Sequence, residues 1–266
     1  APSRWCRGAP RGCGALGSKS DGGEAPGPGL PLSRLRGLVP WAAVVGYAAL
    51  LAPGSLVMGT DDVRIAKLLI EDPFNPAIPT VFAYIFNSLG FIPFLYMGLL
   101  LPASGGPRRQ RFALPATVAS MFLGYFALGP FLALRDPRPE PLAREDLGPV
   151  ARVFESKITS VLTLLGAVAL TFGALNGVYR GTNMWADYFS LLETSKLVNV
   201  SSVDLSLLTA AMSPFIAEDM RRRGLEPAGS LPGAAGLLLA SLTPLVGPAL
   251  YLVLRPRLPS APPEAD

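Results

Sequence analysis

The sequence predicts an all-α membrane protein, a polytopic bundle of about six transmembrane helices with one or two short amphipathic helices at the membrane interface. Of the 266 residues, 50% are hydrophobic and 16% are charged, whereas a soluble domain carries about 25% charged residues. The apolar residues also fall in runs of about 20, the length that crosses a bilayer as a helix. We expect one helical domain over residues 37–257 and a short polar tail over 258–266.

The N-terminal segment differs in composition from the rest of the chain. Residues 1–36 are rich in Gly, Pro, Ala, Ser and Arg, with Asp21 and Glu24 as their only acids. Such a composition cannot bury a core, so the segment is predicted to be disordered. It is typical of an organellar transit peptide, and a flexible tail of biased composition explains it equally well. Cys6 and Cys13 lie here with a spacing that matches no common zinc or haem signature.

Six apolar stretches are long enough, or nearly long enough, to cross a bilayer. Prolines recur inside them, and each removes a backbone hydrogen bond that a neighbouring helix or a local bend has to replace. With six crossings, the connections 102–111 and 180–196 would lie on the same side of the membrane. The predicted spans are 39–59, 77–101, 112–134, 158–179, 197–217 and 233–254.

Three of the connections have patterns of their own. Residues 61–72 and 183–196 are amphipathic at the helical period, and the second repeats Trp185 and Tyr188 on one face. We expect both to lie along the headgroup boundary or to cap the bundle. The connection 135–157 carries too many charges to be buried in lipid, so it is predicted to be a structured loop outside the membrane.

One carboxylate interrupts the fifth predicted span. Asp204 lies a third of the way into LVNVSSVDLSLLTAAMSPFIA. A carboxylate within a span costs a few kcal/mol, so it normally faces protein or water and has a partner. On a helical wheel Asn199 and Ser202 lie nearly opposite Asp204. A helix that is polar on two faces should be central or contact another subunit.

Four roles are open for Asp204. It could cap a helix that begins near Leu205, make a structural contact between spans, handle protons or ions, or dock a pigment or partner. We expect a structural or partner-facing role, because the other polar groups at membrane depth do not titrate near neutrality. Its candidate partners are Asn87, Tyr84, Tyr125, Lys157, Arg180 and Lys196.

A basic cluster follows the same span. In EDMRRRG, residues 218–224, three arginines precede Gly224. Cations offset the dipole at a helix C-terminus and glycine suits the left-handed cap, so the pattern predicts a helix end. Contact with an anionic lipid or an acidic partner is the functional alternative for Arg221, Arg222 and Arg223.

The composition also excludes several function classes. The chain has no histidine, which excludes His-ligated haem, His-based catalytic triads and His-containing metal centres. Walker A, G-x-S-x-G and paired intramembrane carboxylates are missing, so we expect neither enzymatic activity nor a metal site. The net charge of +4 comes from short basic clusters between apolar runs, which is typical of membrane orientation and not of a nucleic-acid interface.

Four stretches occur in order along the chain: FNSLGFIPFLYMGLLLP (86–102), GYFALGPFLALRDP (124–137), VDLSLLTAAMSPFIAEDMRRRG (203–224) and PLVGPALYLVLRP (244–256). Together they resemble an uncharacterised family of multi-span membrane proteins from cyanobacteria and from plant and algal chloroplasts. No activity of that family can be carried over to individual residues. The resemblance implies a setting, a multi-pass protein of the chloroplast, in its thylakoid membrane.

The function expected in that setting is a non-catalytic membrane subunit or assembly partner of a photosynthetic complex such as a photosystem. It would contact lipid and other subunits, and could hold chlorophyll or carotenoid at the aromatic stretches 82–86 and 184–189. Asn87, Asn183 and Glu193 are the candidate pigment ligands. The alternatives are a small transporter or channel that uses Asp204, and a membrane enzyme acting on lipid or pigment.

Overall fold

The computed structural model describes most of the chain after the N-terminal segment, and every regular element in the described part is helical, as predicted. The predicted disorder of residues 1–36 and the polar tail beyond Leu258 lie outside it. The described residues are 38–54, 58–104, 112–138, 142–225 and 243–258.

The described residues contain ten α-helices and two short 3-10 turns. The helices are α1 (Val39–Gly46, continued by a π-helical turn over Tyr47–Leu51), α2 (Thr60–Glu71), α3 (Thr80–Leu100), α4 (Ala113–Leu123), α5 (Tyr125–Leu134), α6 (Pro149–Glu155), α7 (Lys157–Asn176), α8 (Met184–Thr194), α9 (Lys196–Arg222) and α10 (Val246–Leu254).

In the described part of the chain, three helices are long and apolar enough to cross a membrane. These are α3, α7 and α9, with 21, 20 and 27 residues, or roughly 30 to 40 Å at 1.5 Å per residue. They match the predicted spans 77–101, 158–179 and 197–217, so the chain has the helices of a membrane protein. The predicted number of six crossings is not confirmed.

The first predicted span, 39–59, is interrupted after its first half. Helix α1 and its π-helical turn end at Leu51, because Ala52 has extended backbone and Gly54 has φ 83°. Pro53 between them has no N–H to continue the ladder. The helical part is about 20 Å long, less than the hydrocarbon core.

Both amphipathic connections are helices, as predicted, and they pack together at one end of the bundle. Ile65 and Leu69 of α2 are buried in the same cluster as Tyr188 of α8. The Ser195 hydroxyl donates to Asp62 Oδ1 at 2.5 Å, which fixes α2 to the start of α9. We call this side of the bundle the Asp62 end.

The opposite side, which we call the Glu155 end, collects the last turn of α9, helix α6 and the residues after α10. Arg223 and Arg255 both pair with Glu155 there. The predicted loop 135–157 lies at this end and is structured in its described part, with a 3-10 turn over Arg144–Asp146 followed by α6.

Helices α4 and α5 form a hairpin that enters and leaves the bundle at the Glu155 end. At its entry, Ala113 belongs to the buried cluster that holds Met97 and Leu101 from the end of α3. At its exit, Arg138 Nη1 donates to the carbonyl of Ala103 at 3.0 Å. Each arm is about 15 Å long, half the thickness of the hydrocarbon core. The predicted continuous span 112–134 is therefore two half-length helices.

The reversal occurs at Gly124, which has φ 53° and ψ −133°. Only glycine adopts this backbone conformation without strain. The sequence pattern could not show the break, because both arms are apolar and α5 continues the run without a polar interruption.

The hairpin changes the sidedness of the connections. Because its two arms return to the same end, Ala103 lies at the Glu155 end while Ser195 lies at the Asp62 end. The prediction that the connections 102–111 and 180–196 lie on the same side of the membrane is therefore wrong for the described residues of these connections.

The last predicted span, 233–254, is described only from Thr243 onward. Its helix α10 has nine residues and packs closely on α3, where a β-carbon at Gly98 would lie 2.8 Å from Leu252. Arg255, directly after α10, donates to the carbonyl of Gly98 at 2.9 Å, so α10 ends at the Glu155 end.

Candidate functional site

Asp204 lies inside α9 and its carboxylate meets the tip of the hairpin. Helix α9 runs without interruption from Lys196, so the idea that Asp204 caps a helix beginning near Leu205 is wrong. Instead its Oδ1 accepts the backbone N–H of Tyr125 at 2.7 Å. The side chain caps a helix, but the helix is α5, which belongs to another part of the chain.

This contact provides a hydrogen-bond acceptor that the tip of the hairpin lacks. Helix α5 begins after Gly124, which has no side chain to accept the free N–H groups of the first turn. An acceptor with negative charge at that position satisfies one donor and offsets the helix dipole. Asp204 is 5% exposed, so the bond is shielded from water. Of the predicted partners, Tyr125 is the one the structure provides, through its backbone.

Other groups near the tip are also bonded. Tyr96 of α3 is fully buried and its hydroxyl donates to the carbonyl of Leu208 at 2.6 Å. In α4, the hydroxyls of Thr117 and Ser120 donate to carbonyls of their own helix at 2.8 Å. The middle of the bundle therefore joins α3, α9 and the hairpin by polar contacts.

A second contact completes the backbone of α5. Pro130 has no N–H, so the carbonyl of Phe126 lacks its donor four residues along the helix. The indole N–H of Trp41 in α1 donates to that carbonyl at 3.0 Å. A group from a neighbouring helix thus replaces the bond lost to proline, which a helix at membrane depth requires.

Asn199 and Ser202, on the polar face of α9 opposite Asp204, contact neighbouring helices, as the helical wheel predicts. The hydroxyl of Tyr47 donates to Asn199 Oδ1 at 2.7 Å. Ser202 lies 3.0 Å from the hydroxyl of Tyr188 in α8. Helix α9 is therefore central, with polar contacts on both faces.

At the Glu155 end, seven charged side chains form a buried network, which we call the arginine–carboxylate cluster. It joins residues that are far apart in sequence, from the exits of α5, α6, α9 and α10. Its members are Arg135, Glu155, Glu218, Asp219, Arg222, Arg223 and Arg255.

Asp219 and Arg223 are the centre of the cluster. Asp219 is 0% exposed and accepts from Arg222 at 2.8 Å, Arg223 at 2.8 Å and Arg255 at 3.1 Å. Arg223 also binds Glu155 with both terminal nitrogens at 2.8 Å. Tyr251 of α10 donates to Asp219 at 2.9 Å. This bidentate, multiply bonded geometry offsets the desolvation cost of buried charges.

Arg135 lies at the edge of the cluster, where the hairpin leaves the bundle. It pairs with Glu218 and its guanidinium carbon lies 4.7 Å from the ring centre of Phe215, a cation–π distance. Its Nη1 is buried, and no described residue forms a hydrogen bond with it. Burial, and then the charge of Arg222, lower the pKa of Arg135 to about 10, so it stays protonated at neutral pH.

The three predicted arginines differ in their environment. Arg221 is exposed, whereas the side chains of Arg222 and Arg223 are 1% and 0% exposed and are held by carboxylates. The helix end itself is as predicted, because Gly224 has φ 73° and its N–H bonds back to Arg221. Contact of these arginines with a lipid or a partner stays a prediction, for which Arg221 offers the accessible side chain.

The three candidate pigment ligands are not gathered in one place. Asn87 in α3 donates to the carbonyls of Pro73 and Ala83 at 2.6 and 2.8 Å. Asn183 caps α8, accepting from Ala186 at 3.2 Å, and Glu193 is exposed near the other end of that helix. Asn183 and Glu193 are about 15 Å apart along the axis, so each would serve a different ligand.

Several residues of these sites were not singled out from the sequence. Gly124, Glu155 and Arg255 are the main ones. The sequence does contain a signal for Glu155 and Arg255. Each lies next to the end of a predicted span, and charged residues at the ends of several spans can come together on one side of the membrane. In the described ranges, no group of three or more His, Cys, Asp or Glu side chains could hold a metal ion.

Comparison with known proteins adds no relative. No protein-family model matches the chain, and neither curated proteins nor solved structures give a significant match.

Proposed function

We propose that this chain is a non-catalytic integral membrane protein that serves as a subunit or assembly partner of a larger complex in a photosynthetic membrane. One observation carries the proposal. Buried charged side chains of the described bundle have partners within the chain, such as the backbone of Tyr125 for Asp204 and Arg223 for Glu155, whereas α7 presents a row of exposed apolar side chains, since 17% of the residues in its most apolar stretch are buried.

The uncovered surface suits association within the membrane. Apolar side chains project along the whole of α7, with Leu162 and Leu175 62% and 80% exposed. At the Asp62 end, Trp185 and Phe189 of α8 are 55% and 52% exposed and their ring centres lie 6.2 Å apart. Flat aromatic pairs pack well on a neighbouring helix or on a chlorin or carotenoid. The stretch 82–86 is less suited, because Phe82 is fully buried.

The thylakoid setting rests on the resemblance to the cyanobacterial and chloroplast family and on the transit-like composition of residues 1–36. The membrane topology is proposed as well. We propose three complete crossings by α3, α7 and α9, a hairpin that enters and leaves at one side, and partial crossings by α1 and α10.

The test is a mild-detergent native gel of membranes that express the tagged protein, with mass spectrometry and absorption spectra of its bands. We expect the protein to migrate with a large pigmented assembly. Substituting Leu162 and Leu175 by Ala should weaken that association, while the exposed pair Lys67 and Glu71, changed to Ala, serves as the control. A purified protein with neither pigment nor larger assembly would refute the proposal.

A second candidate function is a small transporter or channel, which the hairpin favours. Half-length helices that meet a carboxylate in the middle of a bundle occur at substrate and ion sites of transporters. The test is ion or proton flux in liposomes that contain the protein alone. Flux that Asp204→Asn abolishes would support this candidate, and its absence in well-folded protein would exclude it.

A further inference from the structure

A polar cavity of about 430 Å³ opens at the Asp62 end of the bundle, apart from Asp204 and the arginine–carboxylate cluster. Its size falls in the range of small-molecule sites, about 300 to 1,000 Å³. Three elements line it: the turn at Gly54, the first turns of α2, and the end of α8 with Ser195. None of the sequence patterns discussed above accounts for it.

The lining offers hydrogen-bond donors and acceptors over an apolar floor. Asp61, Arg64 and Thr194 contribute exposed polar groups, and Ile65 and Leu191 contribute apolar surface. Asp61 provides carboxylate acceptors and Arg64 provides donors, and the hydroxyl of Thr194, which donates to the carbonyl of Ser190 at 2.8 Å, can accept.

Asp62 makes the cavity unsuitable for an anion. Its carboxylate accepts the backbone N–H of Gly59 at 3.2 Å and the Ser195 hydroxyl at 2.5 Å. The start of α2, which would otherwise attract a phosphate, is thus occupied by the protein's own acid. With Asp61 beside it and Arg64 as the only basic side chain among the described lining residues, this part of the wall has a formal charge of −1.

A hydroxyl-rich, uncharged group meets this chemistry best. Its O–H groups can donate to the Asp61 carboxylate while its oxygens accept from Arg64. A phosphate would be repelled by the two acids, and a quaternary ammonium has no hydrogen to donate to them.

The segment that precedes Gly54 of the lining is apolar and exposed. Leu50 and Leu51, on the π-helical turn just before Gly54, are 80% and 76% exposed, which gives an acyl chain a place to lie beside an occupied cavity. We infer that this cavity binds the sugar headgroup of an uncharged glycolipid, with its acyl chains along Leu50 and Leu51. The inference does not depend on the proposed function.

The experiment uses the full chain in vesicles that hold equimolar monoglycosyl diacylglycerol, phosphatidylglycerol and phosphatidylcholine with the same acyl chains. After extraction in mild detergent, native mass spectrometry measures which lipid stays bound. We expect preferential retention of the glycolipid, reduced about five- to tenfold by Asp61→Ala or Arg64→Ala, each of which removes hydrogen bonds to the headgroup.

Two further variants serve as an independent test of the cavity and as a control. Thr194→Leu changes the cavity from another helix and should also reduce glycolipid retention. Lys67→Ala, one turn beyond Arg64 on the exposed face of α2 and outside the lining, is the matched control and should change nothing. Equal retention of the three lipids would overturn the inference. Unchanged retention in all three cavity variants would also overturn it. So would displacement of the glycolipid by an equal concentration of the free methyl glycoside, because the acyl chains would then add nothing to binding.

Discussion

The carboxylate of Asp204 occupies the space in which Gly124 would otherwise carry a side chain. A β-carbon at Gly124 would lie 1.7 Å from Asp204 Oδ2, while Oδ1 accepts the N–H of the next residue. The two residues, 80 positions apart, therefore form one structural unit: the glycine allows the reversal of the hairpin and the approach of the acid that caps it.

Gly124→Ala should prevent stable folding. The β-carbon collides with the carboxylate, and φ 53° with ψ −133° is strained for any L side chain. We expect a loss above about 4 kcal/mol, the range of the largest single-residue effects. Thermal unfolding in detergent measures this loss of stability, and size-exclusion chromatography shows whether the variant aggregates. Gly90→Ala is the control, since no described atom lies within 4 Å of its added carbon. Wild-type stability in Gly124→Ala would contradict the hairpin geometry.

Asp204→Asn and Asp204→Leu should differ in accumulation. Asparagine keeps an oxygen that accepts the N–H of Tyr125, so the variant should accumulate and assemble at near-normal levels. Leucine leaves that buried donor unpaired, at a cost of about 1 to 3 kcal/mol. Quantitative immunoblots of membranes and native gels give both measurements. Equal loss in the two variants would show that the charge itself is required.

Arg223→Lys should destabilise the protein, although it keeps the charge. Lysine cannot reproduce the two-pronged contact with Glu155 while also bonding Asp219, because its ammonium is a single point of charge. We expect a loss of about 2 kcal/mol, read as a lower unfolding temperature in detergent. Arg221→Lys, two residues away and exposed, should have no effect; similar losses in both would argue against the cluster.

Trp41→Phe should lower the stability of the protein more when Pro130 is present than when it is replaced. The substitution removes the donor to the carbonyl of Phe126, at about 1 to 2 kcal/mol. Pro130→Ala restores an N–H that can reach the same carbonyl within α5. The double-mutant cycle should therefore show a smaller effect of Trp41→Phe in the Pro130→Ala background. Additive effects would mean that the indole stabilises α5 by packing alone.

Labelling from the two sides of oriented vesicles tests the hairpin topology. In a background with Cys6 and Cys13 changed to Ser, single cysteines at Phe112 and Asp146 should react from the same side, and one at Thr182 from the other. These three positions are exposed. Six crossings would instead place Phe112 and Asp146 on opposite sides. Labelling of those two from opposite faces would overturn the hairpin.

The sequence predicted the long helices because each contains an apolar run of about 20 residues. It predicted that α9 is central or contacts another subunit, because Asp204 and Asn199 lie on opposite faces. It could not predict the hairpin, since glycine is common in packed membrane helices and Gly124 is distinguished only by its backbone angles. The arginine–carboxylate cluster was also hidden, because Glu155 and Arg255 gain their meaning from a meeting of four chain segments.

Arg255 joins chain segments that are synthesised far apart in time. It follows Glu155 by 100 residues and Asp219 by 36, so both carboxylates leave the ribosome before Arg255 is made. By then Arg222 and Arg223 can already pair with them. Arg255 adds a further cation to each carboxylate and bonds the carbonyl of Gly98, so we expect α10 to attach late to a cluster that has already formed.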